Sequence, residues 1–266
     1  MQALIAHHGL KRMPFDKAIK TGAALETEPA KECAARLDFI KQRGGILLLT
    51  GDPGVGKTIA LRKFCDGLNE NIYRPLYTPL STLKGADLLR HLNDKLGLQR
   101  RASKAAVYEQ LQAEMLESRE QRGKTVVIII DEAHLLGTAS LQELRLLTNF
   151  KMDSFDPFIL ILAGQIDLRK TMELGVMEAF SQRVALRHTM APLDGQETVT
   201  YVEEMMKLAG AREPIFAPDA LAAIHEVSFG IPRRIGMTAE MALTLAMLDN
   251  RKNVDADLVL KAKSLG

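Results

Sequence analysis

The sequence predicts an α/β fold in which a doubly wound, parallel, five-stranded sheet is followed by a small all-helical C-terminal domain. Short runs rich in Ile, Val and Leu occur without polar alternation, which is typical of strands buried on both faces of a parallel sheet. Between these runs, apolar residues recur every three or four positions, as in amphipathic helices. After about Pro192 only the helical pattern remains.

Composition excludes several classes of protein. The 266 residues are 47% apolar and 26% charged, which rules out a disordered chain, a collagen and a coiled coil. The 35 basic and 33 acidic side chains leave a net charge of +2, so nucleic-acid binding would require a local basic patch. Two cysteines cannot form a disulfide framework, and the apolar runs are far shorter than the roughly 20 residues that cross a bilayer. We therefore expect a cytoplasmic protein with no membrane partner.

The elements of the α/β part alternate along the chain. The predicted strands are residues 46–49, 72–77, 126–130, 158–163 and 184–188. The helical stripe after the first strand comprises Ile59, Leu61, Phe64, Cys65 and Leu68. Three further helical stripes separate the later strands and lie within residues 88–96, 107–115 and 141–147.

Capping signals mark the C-terminal helices. Asp194 and Glu197 form a capping box, Pro218 begins a second helix and Asp255 caps a fourth. The third is expected to bury Met237, Met241, Leu245 and Leu248. We therefore predict an N-terminal arm (residues 1–23), an α/β core (residues 24–192) and a helical lid (residues 193–266).

A glycine-rich loop with the sequence GDPGVGKT, residues 51–58, stands between the first predicted strand and a helix. Glycines let successive backbone N–H groups curl around a triphosphate, and Lys57 reaches the β and γ phosphates. The hydroxyl of Thr58 ligates Mg²⁺ at the positive end of the helix dipole. The predicted nucleotide contacts are Gly51, Asp52, Pro53, Gly54, Val55, Gly56, Lys57, Thr58 and Ile59.

Two carboxylates follow the strand at residues 126–130. Asp131 can hold the metal and its water shell, while Glu132 can polarise the attacking water. The alternative is a surface pair that caps the next helix. The letters DEAH also occur in a class of helicases, but that class requires a second nucleotide-binding α/β domain, for which this sequence has no room.

Three further polar residues are candidates for the same reaction. Gln165 follows a strand, where its amide could orient the water or contact the γ-phosphate. Arg183 precedes the last strand and Arg233 begins the third lid helix, and either guanidinium could bind a triphosphate through two hydrogen bonds. Taken alone, each of the three is common on protein surfaces.

The sequence resembles the AAA+ P-loop ATPases in five segments that occur in the family's order and are followed by a helical lid. These segments are GDPGVGKT, VVIIIDEAH, LAGQ, SQRV and GIPRR. The stretches GLKRMPF, LQELRLLTNF and GIPRRI are similar to the ExeA-type branch of that family. This branch contains secretion-associated ATPases and also ATPases encoded beside transposases, which are similar to TnsC. The resemblance covers residues 9 to 262.

The resemblance implies ATP and Mg²⁺ as cofactors and a homo-oligomer, either a ring or a helical filament. In such an assembly Arg183 of one subunit would complete the site of its neighbour, with Arg169 and Arg187 as alternatives. Arg233 would be the lid sensor, with the adjacent Arg234 as an alternative, and Gln165 would be the polar sensor after the fourth strand.

The resemblance also concerns the arm. In the family this segment precedes the core, so Pro14 and Phe15 are expected either to pack near the adenine or simply to dock the arm by hydrophobic contact.

Secretion members usually continue beyond the lid into a membrane span, whereas this sequence ends at Gly266, which favours the transposition branch. We therefore expect an ATP-dependent regulator that binds target duplex DNA and recruits or activates a transposase. The alternatives are a secretion or envelope-associated ATPase and a replication initiator or loader.

The basic charge is concentrated in residues 84–104, where six basic side chains oppose Asp87 and Asp94 and leave +4. An extra helix at this place resembles the insertion with which initiator-like AAA+ proteins follow the DNA backbone. Phosphate contact needs cations and small hydroxyls but reads no bases. The alternative is a solvated helix face. The predicted DNA contacts are Lys84, Arg100, Arg101, Ser103 and Lys104.

Overall fold

The computed structural model describes residues 1–15, 26–79 and 82–265. These residues contain a five-stranded parallel sheet with the strand order β2-β3-β4-β1-β5, which confirms the predicted fold class. The strands are β1 (Gly45–Thr50), β2 (Tyr73–Thr78), β3 (Thr125–Ile130), β4 (Phe158–Gly164) and β5 (Val184–Thr189).

Helices connect the strands and form the C-terminal region. The helices up to the last strand are α1 (Gln2–His7), α2 (Glu28–Arg43), α3 (Lys57–Asp66), α4 (Gly85–Lys95), α5 (Lys104–Glu120), α6 (Thr138–Leu147), α7 (Ile166–Met172) and α8 (Glu178–Ser181). The C-terminal helices are α9 (Gly195–Ala209), α10 (Pro218–Ser228), α11 (Pro232–Leu248) and α12 (Ala256–Leu265). Helix α2 was not predicted, although Cys33, Leu37 and Ile40 recur at helical spacing and are buried.

The centre of the sheet is apolar because both of its faces are covered. Every residue of β1, β3 and β4 is buried. In the parallel register Thr50 lies opposite Gly164, and Ile130 lies opposite Leu162. These three strands therefore end at the same edge of the sheet, from which the chain continues into Gly51, the Asp131–Glu132 pair and Gln165.

The described chain divides into two compact units. The helical unit comprises the described residues of 1–32, 52–59 and 191–266, and the sheet unit comprises residues 33–51 and 60–190. The predicted boundary between residues 23 and 24 lies outside the described residues. The predicted boundary between residues 192 and 193 stays a prediction.

Capping contacts in the helical unit confirm the predicted helix starts. The Asp194 side chain accepts a hydrogen bond from Glu197 N, and Glu197 Oε2 accepts one from Asp194 N. The other oxygen of Glu197, Oε1, accepts a bond of 3.1 Å from Glu28 N at the start of α2. Asp255 Oδ1 accepts from Leu258 N in the first turn of α12.

The predicted buried face of α11 is partly wrong. Met237 and Leu248 are 62% and 70% exposed. The buried stripe instead contains Ala239, Ala242 and Ala246, whose small side chains let neighbouring helices approach closely. The large residues Ile235 and Leu243 are buried beside these alanines, so the buried face of the helix is rotated from the predicted one.

Two assignments in the α/β part also need correction. Ile72 was placed in the second strand, but it is exposed in the turn before β2, which begins at Tyr73. Ile59 belongs to the predicted apolar stripe of α3, but its side chain is exposed. It lies only two residues after the helix begins at Lys57.

Candidate nucleotide-binding site

The loop between β1 and α3 has a backbone that suits glycine. Gly51, Gly54 and Gly56 have φ angles of 153°, 90° and 115°, a region that other residues rarely adopt. The helix that follows begins at Lys57, so its first N–H groups lack partners within the helix. Such a helix start attracts anions, which matches the predicted phosphate loop.

Within the helical unit, the loop lies against the start of α11. Arg233 N donates a hydrogen bond of 3.3 Å to Gly54 O. A Cβ atom at Gly54 would lie 2.7 Å from Arg233 Cβ and 3.3 Å from Ile231 Cγ2. The structure therefore brings the predicted lid sensor to the phosphate loop, at a distance that only glycine allows.

Lys57 is buried, and its ammonium group donates a hydrogen bond of 3.0 Å to Asp52 O, at the other end of the loop. The side chains of Thr58 and Ile59 are exposed. A buried cation held by the loop and an exposed hydroxyl beside it are chemically suited to phosphate oxygens and Mg²⁺.

In the sheet unit, Asp131 is 3% exposed and both of its carboxylate oxygens accept hydrogen bonds. Glu132 N donates to Oδ1 at 2.9 Å, and the Tyr77 hydroxyl donates to Oδ2 at 2.9 Å. Burial, followed by the bond to Asp131, raises the pKa of Tyr77, so its hydroxyl stays a proton donor at neutral pH. Tyr77 was not among the predicted site residues, and its only signal in the sequence is a hydroxyl near the end of the strand beside β3.

Glu132 stands at the same edge in a more open position. Its backbone is left-handed, with φ of 54° and ψ of 32°, and its side chain is 48% exposed. The carboxylate can therefore reach water, as a general base must. Its Oε2 lies 3.7 Å from His134 Nε2.

Gln165 is the first residue after β4 and caps the start of α7. Its backbone N–H donates a hydrogen bond of 3.3 Å to His134 Nδ1. The structure thus brings the predicted polar sensor and the predicted base to one histidine. His134 was not among the predicted site residues.

The predicted trans-acting arginine and its alternatives all have contacts within the sheet unit. Arg183 is half-buried, and its guanidinium donates to Arg145 O at the C-terminal end of α6, at 3.3 Å. Arg187 is exposed and bonds to Ser181, while exposed Arg169 pairs with Glu173, the residue directly after its own helix. These contacts leave the choice among the three arginines open.

The two ends of the predicted DNA-binding segment both contact α6. Gly85 N, next to Lys84, donates to Ser140 Oγ at 2.9 Å. Lys104 Nζ lies 2.5 Å from Glu143 Oε1, one turn further along α6. Both ends of the segment therefore lie against α6, and Glu143 offsets part of the charge of Lys104.

Between these ends, the remaining predicted DNA contacts are exposed but locally paired. Arg100 forms an ion pair of 3.1 Å with Asp94, and Arg101 donates to Gln110. The Ser103 hydroxyl accepts from Ala106 N as the N-cap of α5. Its O–H remains a donor, so a phosphate contact is compatible with the cap.

Phe15 lies in the helical unit, against α9 and α11. Its ring centroid is 6.2 Å from that of Tyr201, and a Cβ atom at Gly236 would lie 3.1 Å from Phe15 Cβ. Gly236 is three residues after Arg233, so the arm packs on the same helix that meets the phosphate loop. This packing agrees with hydrophobic docking of the arm, and a contact with adenine stays a prediction.

The part of the chain that the structure describes contains neither a metal-binding cluster of His, Cys, Asp and Glu side chains nor a membrane-spanning helix. In residues 1–15, 26–79 and 82–265, three or more His, Cys, Asp or Glu side chains nowhere gather into a metal-binding group. Over the same ranges, every helix is too short or too polar to cross a bilayer.

Two kinds of relatives were found by sequence. General secretion pathway protein A of Aeromonas hydrophila is 31% identical over 259 residues, which cover 96% of this chain and 47% of that protein. ATP-dependent target DNA activator B of Escherichia phage Mu is 32% identical over 123 residues, which cover 46% of this chain and 37% of that protein. This chain therefore spans about half, or less, of the length of the curated relatives it matches.

Solved structures share the fold. The Aeropyrum pernix ORC2 protein superposes with a TM-score of 0.65 at 19% identity, covering 94% of this chain and 71% of that one. Thermotoga maritima RuvB gives a TM-score of 0.58 at 20% identity, covering 91% and 70%. The family model described as the AAA domain matches residues 40–172, from the end of α2 to the end of α7. This match agrees with the glycine loop and with the Asp131–Glu132 pair. The chain therefore belongs to the AAA+ ATPase family.

Proposed function

We propose that this protein binds ATP with Mg²⁺ and hydrolyses the ATP to ADP and phosphate. Buried Asp131, with half-exposed Glu132 directly after it at the end of β3, carries the proposal. The residues fit a magnesium nucleotide, because Mg²⁺ takes one or two protein oxygens and completes its shell with phosphates and water. Thr58 and Asp131 would supply those oxygens, and when bound there Mg²⁺ would neutralise charge on the phosphates.

The remaining residues act on the phosphates and the water. Glu132 accepts a proton from the water, whose oxygen bonds to the γ-phosphorus as the bond to the bridging oxygen breaks. Lys57 binds the β and γ phosphates. Gln165 senses the γ-phosphate, and Arg233, whose backbone meets Gly54, senses the nucleotide from the lid. Arg183 is supplied by a neighbouring subunit.

We further propose that ATP drives assembly of a cytoplasmic homo-oligomer on duplex DNA, and that the assembly recruits or activates a transposase. The match to the phage Mu target DNA activator supports this role. So does the exposed basic segment, both ends of which contact α6. Hydrolysis would then disassemble the oligomer.

A role in secretion is the second candidate. The match to general secretion pathway protein A extends over nearly the whole chain, whereas the phage match covers less than half of it. In that case a membrane protein would replace DNA as the partner. The two candidates share the nucleotide site and differ only in what the assembly binds.

DNA-dependent behaviour separates the two candidates. For the transposition role we expect duplex DNA to stimulate ATP hydrolysis, and electron microscopy to show nucleotide-dependent rings or filaments on it. Hydrolysis that does not respond to DNA, with no assembly on DNA, would favour the secretion role. Neither result would contradict the proposed nucleotide site.

A combined substitution tests the DNA-binding segment. Replacing four of its six cations by alanine should reduce the slope of log affinity against log salt by about 0.9 for each lost phosphate contact, equally on two unrelated duplexes. Fluorescence anisotropy at several salt concentrations measures the slope. The control replaces four exposed cations that form local ion pairs elsewhere. The test positions are Lys84, Arg100, Arg101 and Lys104, and the control positions are Lys31, Lys170, Lys207 and Arg251. Equal binding by the two variants would indicate that the segment is only a solvated helix face.

A further inference from the structure

His134 joins the ends of two strands of the sheet. It lies in the short 3₁₀ turn after β3, and its side chain is only 11% exposed. Its Nδ1 accepts the hydrogen bond from Gln165 N, and its Nε2 lies 3.7 Å from Glu132 Oε2. One imidazole ring therefore meets both the proposed base and the proposed γ-phosphate sensor.

The contact with Gln165 determines which ring nitrogen carries the proton. A backbone N–H can only donate, so Nδ1 must present a lone pair. In a neutral imidazole the proton is then on Nε2. The Nε2–H group is thus on the side of the ring that approaches the Glu132 carboxylate.

Gly164 makes room for this ring. A Cβ atom at Gly164 would lie 3.0 Å from His134 N, 3.3 Å from His134 Nδ1 and 3.1 Å from Leu168 Cδ2. The glycine has an ordinary strand backbone, so the close approach of His134 is what a side chain at this position would disturb. Glycine at the last position of β4 therefore leaves the space that His134 occupies.

We propose that His134 is a positioning residue that couples the Glu132 carboxylate to the Gln165 segment. It orients the carboxylate through Nε2–H and anchors the start of the sensor segment through Nδ1, so that the base and the sensor are placed together. This inference rests on the proposed hydrolysis of ATP by Glu132. The histidine itself exchanges no proton with the water or the nucleotide.

Three substitutions separate the two contacts. His134→Ala removes both, His134→Asn keeps an acceptor near the position of Nδ1, and His134→Gln keeps a donor near the position of Nε2. We expect His134→Ala to lower kcat for ATP about 10–100-fold, as is typical when a partner that orients a reacting group is lost, while KM stays within about twofold. The control is His91→Asn, which alters a half-buried histidine on α4 and should leave basal hydrolysis unchanged.

Nucleotide binding gives a readout that does not depend on turnover. If Nδ1 anchors the sensor segment, His134→Asn should keep the preference for ATP over ADP, whereas His134→Gln should reduce it. Equilibrium titration with fluorescent ATP and ADP analogues measures this ratio. A histidine with a merely structural role would move both affinities together, and that result would overturn the proposal.

A double substitution tests whether His134 acts through Glu132. In the Glu132→Gln background, His134→Ala should cause no further loss of kcat, whereas independent roles would give additive losses. Additive losses, or a wild-type kcat in folded His134→Ala, would overturn the inference. If His134→Ala melts below the assay temperature, the Asn and Gln variants decide the question. An inactive wild type, or full activity in Glu132→Gln alone, would instead contradict the proposed function.

Discussion

The hydroxyl of Tyr77 donates a hydrogen bond of 2.9 Å to Oδ2 of Asp131 and so joins the ends of β2 and β3. Because Glu132 N donates to Oδ1, donors orient both oxygens of the proposed magnesium carboxylate. A carboxylate held in this way needs little rearrangement when it meets the water shell of an ion. Tyr77 therefore belongs with the site, although it touches no proposed phosphate contact.

Tyr77→Phe should weaken the affinity for the Mg²⁺ that supports ATP binding, because Asp131 loses one of the donors that orient it. We expect the Mg²⁺ concentration for half-maximal ATP binding to rise about tenfold, with little change at saturating Mg²⁺. Titrating fluorescent ATP at several Mg²⁺ concentrations measures this shift. The matched control is Tyr73→Phe on the same strand, whose hydroxyl donates to Lys41 O at 3.4 Å. Identical Mg²⁺ midpoints in the two variants would contradict the prediction.

Gly54→Ala should damage nucleotide binding. The added Cβ would meet Arg233 Cβ at 2.7 Å, and the backbone φ of 90° is unfavourable for alanine. We expect ATP affinity to fall at least about tenfold, since a strained loop loses about 1–3 kcal/mol of preorganisation. Gly137→Ala is the control, because its φ is −68° and a Cβ there would meet nothing within 4 Å. Isothermal titration with ATP compares the two, and equal affinities would show that the loop does not require glycine at position 54.

Lys57→Ala and Glu132→Gln should fail in different ways. Lys57 contributes to ground-state binding of the phosphates, so its loss should abolish ATP binding and nucleotide-dependent assembly. Glu132 acts mainly on the attacking water, so its loss should preserve ATP binding and trap the assembled state. Sedimentation with and without ATP tests both variants. Hydrolysis at the wild-type rate by Glu132→Gln would show that another group is the base.

Arg183→Ala should stop hydrolysis without preventing monomers from binding ATP. An arginine that stabilises the transition state from a neighbouring subunit is worth about 10³-fold or more in rate. Hydrolysis should return when Arg183→Ala subunits are mixed with Lys57→Ala subunits, which still carry the arginine. The same mixing with Arg187→Ala and Arg169→Ala shows which arginine acts in trans. A mixed assembly that forms but stays inactive would rule out Arg183.

The fold was predictable because its signals are local. A buried parallel strand shows as a continuous apolar run, and the Asp194–Glu197 capping box can be recognised from a spacing of three residues. The bounds of β2 were less certain because its sequence is only partly apolar and Ile72, just before it, is exposed. The exposure of Met237 depends on which face of α11 the other helices cover, and that is not a local property.

The candidate site shows the same division. The phosphate loop and the Asp131–Glu132 pair are contiguous in sequence, so their chemistry could be predicted directly. Tyr77 and His134 acquire their roles only when β2, β3 and β4 are placed side by side. The ion pair between Lys104 and Glu143 spans 39 residues, and it reduces the free charge of a segment that composition alone presents as more strongly basic.

The hydrogen bond that Glu197 accepts from Glu28 N limits the order in which parts of the chain can fold during synthesis. Glu28 is made 169 positions earlier than Glu197. At about 5–20 residues per second, the start of α2 emerges from the ribosome on the order of ten seconds or more before this acceptor exists. The interior strand β1 likewise waits for both of its neighbours, β4 and β5. The first third of the nascent chain must therefore stay unaggregated until its last third is made, which gives chaperones a window in which to act.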